Sequence, residues 1–379
     1  MLRTVAVSGY RSLRDVVVPL DRLTLLTGPN GAGKSNLYRA LGLLAAAGRG
    51  EVVGAVAREG GLPSVLWAGP ENGHSGGAAT QGTRRSRPVA VQLGFASDEL
   101  GYLVDLGIPQ SDQRSPFARD PEIKREQVFA GPVAKPSTLL IDRSRAHTRV
   151  RDDSWGSLAQ KLAPYESIVT DLADGDIGPE LLLLRRTFAG WRFYDHFRVD
   201  PDAPARRPQV GTRSQTLSGD GADLAAVWAT IVDAGFGDAL DHAVDTAFPG
   251  ARAHVRAEDG VFRLLLHQPG LLRPLEMSEV SDGTLRYLLL CAALLPARPA
   301  PLLVLNEPEA SLHVSLLAPL AELIRAASER TQVIVVSHAA PLVDALPESA
   351  RVELRPGSTG TTVEGQGTLD APAWHWGTR

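Results

Sequence analysis

The chain has 379 residues, 44% of them hydrophobic and 22% charged, with a formal net charge of -4. That balance suits a globular protein with room for one large domain or two. It excludes a histone-like polycation, so any nucleic-acid contact has to use a local patch.

The N-terminus, "MLRTVAVSGYRSL", has no long apolar core, so no signal peptide is expected there. No stretch approaches the roughly 18 apolar residues of a membrane span. A cytoplasmic protein without a membrane partner is the expectation. The runs "TVAVSG", "DVVVPL" and "LTLLTG" read as strands. The third passes into "GPNGAGKSNLYRALGLLAAAG". From Lys34 the pattern is helical, with Leu37, Leu41 and Leu44 on one face, ending near Gly48. Residues 1–68 thus form a lobe built on strand, glycine loop and helix. Residues 69–87, rich in Gly and Ser and ending in Arg84, Arg85 and Arg87, read as a mobile loop with a solvated charge run.

Residues 88–155 alternate in the strand manner with turns between, which predicts an antiparallel β subdomain. Residues 156–250 read as a mainly helical insertion: helix over 156–190, a strand at "WRFYDHF", a Pro- and Arg-rich loop, then two helices. Residues 251–350 open with a hairpin turning at Asp259-Gly260. They continue with a helix from near Ser281, a buried strand "PLLVLNE", an amphipathic helix, a second buried strand "TQVIVVSH" and a short helix after Pro341. The single cysteine, Cys291, excludes an intrachain disulfide and a cysteine-based metal cluster; in the run "RYLLLCAALL" it reads as a packing residue. Residues 351–379 read as a small edge element or a loose tail.

Four stretches carry chemistry. Residues 28–35, "GPNGAGKS", fit G-x-x-x-x-G-K-[ST] in full. Within Gly28, Pro29, Asn30, Gly31, Ala32 and Gly33, the nucleotide-binding loop, the glycines let the backbone wrap closely so that amide N–H groups point at phosphate oxygens. The helix that follows adds its positive end. Lys34 supplies a point charge for the β- and γ-phosphates, and Ser35 a hydroxyl for magnesium. In "LLVLNEPE" four apolar residues deliver Asn306 and Glu307 at the end of a strand, where ligands bind in open α/β sheets. Glu307 is placed to take a proton from an attacking water. "EVSDGTLRYL" puts Ser281 at a helix start, an ordinary N-cap or an anion site. In "VIVVSHAAPL", His338 follows a buried strand.

The order of these pieces resembles an ABC-type ATPase head, within it the RecF/SMC/OLD-like group of bacterial predicted AAA-family ATPases. The opening through "GKSNLYRAL" resembles that group closely, as do "SDGTLRYL", "LNEPEASLH" and "VVSHAAPLVDAL". The likeness covers residues 1–50 and 275–347, and the middle only in layout. It implies an α/β P-loop NTPase fold with a mixed central sheet, an antiparallel β subdomain and a helical insertion, and ATP with Mg2+ as ligands. By the same resemblance, Arg11 lies near the phosphates and Asn36 follows Ser35 at the helix start. Ser281 and Gly283 form a signature motif that touches ATP held by a second copy of the chain. Glu307 is the catalytic base and His338 the switch histidine. Ser311, Leu312 and His313 lie by the dimer seam. For the Q-loop glutamine, Gln92 and Gln127 both remain open. The coiled-coil arm of some members and the nuclease domain of others are missing, so nuclease activity in this chain is not expected.

Asn306 departs from the pattern, which has Asp there. A unit charge pair about 4 Å apart is worth at most about 4 kcal/mol at an effective dielectric of 20. The expectation is retained ATP binding, weaker magnesium affinity and slow hydrolysis, with Asn306→Asp raising the rate or lowering the magnesium requirement. The leading function is a nucleotide-dependent homodimer acting as a clamp or switch, with DNA the first partner, in repair or in defence against foreign DNA. The alternative is a nucleotide-gated module that controls a separate effector protein with little or no turnover.

Overall fold

A computed structural model describes residues 1–69, 90–109, 116–117, 120–172, 178–367 and 371–377. The loop read at 69–87, with Arg84, Arg85 and Arg87, lies outside the described residues but for Gly69. The chain forms two units. One comprises Met1–Asp21, Leu26–Trp191 and Ala350–Arg379; the other comprises Arg22–Leu25 and Arg192–Ser349.

The first unit is built on an eight-stranded sheet in the order Leu13–Pro19, Leu2–Tyr10, Ala90–Ser97, Leu100–Gly107, Glu122–Ala130, Leu139–Ser144, His147–Arg151, Trp155–Ser157. Every pairing in it is antiparallel. The predicted antiparallel region is therefore present. The helix Lys34–Gly48 runs as its leucine stripe predicts, with Leu37, Leu41 and Leu44 buried. It packs on the helix Pro179–Gly190 and on the sheet. Phe95, Tyr102, Phe188 and Trp191 form an edge-to-face aromatic cluster, with centroids of Phe95 and Phe188 5.5 Å apart and of Tyr102 and Phe188 5.3 Å apart. Of the two readings of the C-terminal segment, the edge element is the one formed: Ala350–Gly357 and Gly360–Val363 pair as a hairpin.

Helix is absent from 156–167, against expectation. Ser157 still belongs to a strand, and Leu158 N–H donates to Thr148 O at 2.9 Å. Pro164 then turns its carbonyl onto Ile123 N–H at 2.7 Å. Proline lacks the N–H that a helix interior needs, and the segment bonds residues of the sheet instead. Helix resumes at Ile168–Asp171 and Pro179–Gly190.

In the second unit, Arg192–Tyr194, Leu302–Asn306 and Gln332–Val336 run parallel and side by side. The last two are buried along almost their whole length, as fully covered parallel strands are. The helices Leu224–Asp233, Gly237–Ala247, Asp282–Leu294 and Leu317–Ser328 share one core with them, in which Trp228, Tyr287, Leu288 and Cys291 are buried. Burial pushes the Cys291 thiol well above its ordinary pKa, so it is a packing residue and not a nucleophile. The predicted hairpin Arg252–Glu258/Val261–His267 turns at Asp259 and Gly260, both with positive φ (51° and 76°). Among the described residues no helix is long and apolar enough to cross a membrane.

Candidate nucleotide site

In the first unit the loop after the strand Leu23–Thr27 closes on itself before the helix begins. Gly28 has φ 137°, and a β-carbon there would lie 2.1 Å from Leu354 O. Gly33 caps the helix at φ 101°, and its β-carbon would meet Thr361 Oγ1 at 2.4 Å and Ser12 Oγ at 3.0 Å. Both positions need glycine on two counts, backbone angle and space. Ala32 is buried and anchors the loop, while Pro29, Asn30, Gly31 and Ser35 are exposed. Lys34 is mostly buried, and its ammonium donates to Gly28 O at 2.6 Å and Pro29 O at 3.1 Å. The lysine thus holds the loop's own carbonyls.

Asn36 does not reach outward. Its amide donates to Ser12 Oγ at 2.9 Å, and Ser12 Oγ lies 3.0 Å from Thr361 Oγ1. Arg11, at φ 46°, bonds Glu59 Oε2 at 2.8 Å, and the Tyr10 hydroxyl donates to the same oxygen. The two glutamines left open as Q-loop candidates are both held across the antiparallel sheet, Gln92 by Asp105 at 3.3 Å and Gln127 by Asp142 at 2.9 Å.

In the second unit the strand Leu302–Asn306 ends in a group of polar residues. Glu307 has φ 47°, a conformation that costs a side-chain-bearing residue about 1–3 kcal/mol and that persists where its surroundings enforce it. Here its N–H donates to Val336 O at 2.8 Å, and its carbonyl accepts from Arg286 at 3.0 Å. Arg286, only 1% exposed, also reaches Pro308 O at 3.4 Å. Burial lowers the pKa of its guanidinium, and the carboxylates of Glu309, Asp195 and Glu307 oppose that shift. The turn at Glu307 is therefore clamped from the middle of an apolar helix.

His338 Nδ1 lies 3.4 Å from Glu307 Oε1 and 4.0 Å from Glu309 Oε1. The imidazole is half-exposed, and Glu307 a third exposed. Glu309 is buried; its Oε1 accepts from Ser337 Oγ at 2.6 Å and His338 N–H at 3.3 Å, while Oε2 is buried without a hydrogen-bond partner. Glu307 and His338, named separately from the sequence, are thus neighbours, and Glu309 fixes the backbone that carries the histidine.

Asn306 shows a different imbalance. Its Nδ2–H donates to Asp195 Oδ1 at 2.8 Å, and its Oδ1 is buried without a hydrogen-bond partner. A buried acceptor left unmade costs about 1–3 kcal/mol, so an acceptor in that state suits a ligand such as a magnesium ion or its water. Among the described residues no group of three or more His, Cys, Asp or Glu side chains is placed to hold a metal ion. Magnesium fits such sparse protein ligation, because it commonly binds through one or two side chains plus substrate phosphates.

Ser281 is the N-cap of the helix Asp282–Leu294; its Oγ accepts from Thr284 N–H at 3.2 Å. The buried Arg206 fixes the preceding turn, donating to Met277 O at 2.7 Å, Val280 O at 2.8 Å and Asp282 Oδ1 at 2.6 Å. Gly283 passes close to the chain at Ser311, where a β-carbon would lie 3.3 Å from Ser311 O. Ser281, Gly283, Thr284, Ser311 and His313 line one open cleft of about 370 Å³ with Phe248. The cleft brings Ser281 and Gly283 together with Ser311 and His313, while Leu312, named with them for the dimer seam, packs against the core.

The residues missed in the sequence are Arg286, Glu309 and Asp195. A lone arginine inside "LRYLLLCAALL" and the second glutamate of "NEPE" were signals that could have found the first two. Asp195 carries no local signal; only the parallel register of Tyr194 with Leu305 brings it beside Asn306.

The family described as AAA domain, putative AbiEii toxin, Type IV TA system matches residues 23–344, most of the chain. The chain belongs to that family. A curated relative, the OLD nuclease of Thermus scotoductus, is 46% identical over 44 residues; these make up 12% of this chain, and the match spans only 8% of the relative's length. Among solved structures, the SMC head bound to the C-winged helix domain of ScpA aligns over 96% of each chain at 15% identity and a TM-score of 0.50. An SMC head with an extended coiled coil, bound to the C-terminal domain of ScpA derived from Pyrococcus furiosus, aligns over 96% of this chain and 95% of that one, at 13% identity and TM-score 0.50. At such identities the likeness is one of fold. This family member is an ABC-type ATPase of the RecF/SMC/OLD-like group, with the α/β fold expected from its sequence.

Proposed function

We propose that the chain binds ATP with Mg2+ on the loop of residues 28–35, hydrolyses it slowly, and uses the cycle to clamp and release a partner as a homodimer. The Glu307–His338 pair carries this reading: an acid and a base 3.4 Å apart at the end of a buried strand, on a backbone turn held in a costly conformation. Glu307 takes the proton of the attacking water, and His338 holds the carboxylate's free face. Lys34 leaves its loop carbonyls for the β- and γ-phosphates. Ser35 and Asn306 are the residues that would hold the magnesium, which when bound neutralises phosphate charge. Ser281 and Gly283 line an open cleft of about 370 Å³, which supports their role in meeting the nucleotide of a second copy. The family's description as a putative toxin of a toxin–antitoxin system, together with the OLD nuclease relative, supports a role in repair or in defence against foreign DNA.

A site shared between copies makes turnover depend on protein concentration more steeply than linearly. Ser281→Arg is expected to remove that turnover and leave binding of a fluorescent ATP analogue intact. A rate strictly proportional to protein, unaffected by Ser281→Arg, contradicts the dimer. ATP-dependent, salt-sensitive binding of duplex DNA separates a DNA clamp from other partners. Asn306 supports a second reading, a nucleotide-gated module controlling a separate effector; bound ATP without turnover in the wild-type chain is its signature.

A further inference from the structure

We propose that Asp195 is a positioning residue for Asn306, aiming its amide oxygen at the magnesium site and lending the negative charge that asparagine lacks. The inference rests on the ATP-binding reading above. Asn306 Nδ2–H donates to Asp195 Oδ1 at 2.8 Å. A carboxylate only accepts hydrogen bonds, so the NH2 group has to face it and the carbonyl oxygen has to point the other way. That oxygen is the buried atom without a hydrogen-bond partner.

Among the described residues Asn306 is the one hydrogen-bond partner of the Asp195 side chain. Its side chain is half-exposed, and the Nδ1 of the exposed His196 lies 3.8 Å from its Oδ1. Its charge also acts on Arg286, along with Glu309 and Glu307. A carboxylate behind an amide N–H polarises the amide and makes its oxygen a better acceptor, as partners one shell out do for metal ligands. The pair Asp195–Asn306 then does in two residues what a single aspartate does elsewhere in the group. The parallel pairing of Arg192–Tyr194 with Leu302–Asn306 is what brings the two together.

One consequence differs from the sequence-based expectation for Asn306→Asp. That change places a second carboxylate at hydrogen-bonding distance from Asp195, and repulsion between them opposes the gain.

The test uses the full chain with ATP and Mn2+ as a paramagnetic probe. Free Mn2+ is read by electron paramagnetic resonance in wild type, Asp195→Ala, Asp195→Asn, Asn306→Asp and the double variant Asn306→Asp/Asp195→Ala. Asp195→Ala is expected to weaken Mn2+ binding by about 10–100-fold. Asp195→Asn, which keeps an acceptor but not the charge, is expected to fall between it and wild type. In the Asn306→Asp background, Asp195→Ala is expected to cost nothing, since the ligand there carries its own charge and needs no orientation. Wild-type affinity in Asp195→Ala overturns the proposal, and so does an equal loss in both backgrounds. A wild-type chain that holds no Mn2+ with ATP overturns the ATP-binding reading and this inference with it.

Discussion

Glu307→Gln is expected to lower ATP turnover by about 10²–10⁴-fold, the usual worth of a general base, while ATP stays bound. The change is close to isosteric. The backbone at φ 47° is held through main-chain atoms, by Val336 O and by Arg286, and none of these bonds involves the carboxylate. What is lost is the ability to accept a proton, at a carboxylate whose Oε1 lies 3.4 Å from His338 Nδ1. His338→Ala is expected to act more weakly, since it removes a neighbour of the base and not the base. Phosphate release in a single turnover, read beside binding of a fluorescent ATP analogue, separates the two effects. Turnover undiminished in Glu307→Gln contradicts the assignment of the base.

The largest effect on stability is expected in the antiparallel sheet. Glu126 and Arg143 are both fully buried and bonded to each other at 2.6 Å. Glu126 also accepts from Tyr102 and Ser167 hydroxyls, each at 2.6 Å, and from Ile168 N–H at 3.0 Å. Arg143 spends its other donors on the carbonyls of Arg145, Glu166 and Ala163. Burial, then the charge of Glu126, holds the Tyr102 hydroxyl well above its ordinary pKa, so it remains a donor to that carboxylate at any pH the protein meets. Glu126→Ala leaves a guanidinium buried without its counter-charge and is expected to cost about 3–5 kcal/mol. Glu126→Leu/Arg143→Met removes both charges and is expected to recover most of that loss. Urea denaturation of the two variants checks it. A Glu126→Ala midpoint equal to wild type contradicts the coupling.

Local patterns were legible wherever one segment decides its own structure. The leucines at 37, 41 and 44 announced the helix Lys34–Gly48, Asp259-Gly260 announced a hairpin, and Ser281 announced a helix start. The site residues that composition and spacing could name are those at strand ends and in the glycine loop. Glu307 and His338 were named this way, and their proximity follows from adjacent parallel strands, Leu302–Asn306 beside Gln332–Val336. What stayed hidden depends on pairings between distant segments. Asp195 meets Asn306 only through strand register, Arg286 meets Glu307 O only through helix packing, and Glu126 meets Arg143 across a sheet. Arg11, placed near the phosphates by resemblance, and Asn36, which follows Ser35 at the helix start, bond Glu59 and Ser12 within their own unit, partners that no local pattern names. Residues 156–167 read as helix, because nothing local reveals that Leu158 N–H and Pro164 O bond Thr148 and Ile123 of the sheet instead.

Mixing two inactive variants tests the shared site most directly. Glu307→Gln keeps Ser281, and Ser281→Arg keeps Glu307; each alone is expected to bind ATP and turn over almost none. In a mixed pair one nucleotide sees both an intact Glu307 and an intact Ser281 from the opposite copy, so ATPase activity is expected to reappear on mixing. A mixture as inactive as its components, with both still binding ATP, contradicts the account.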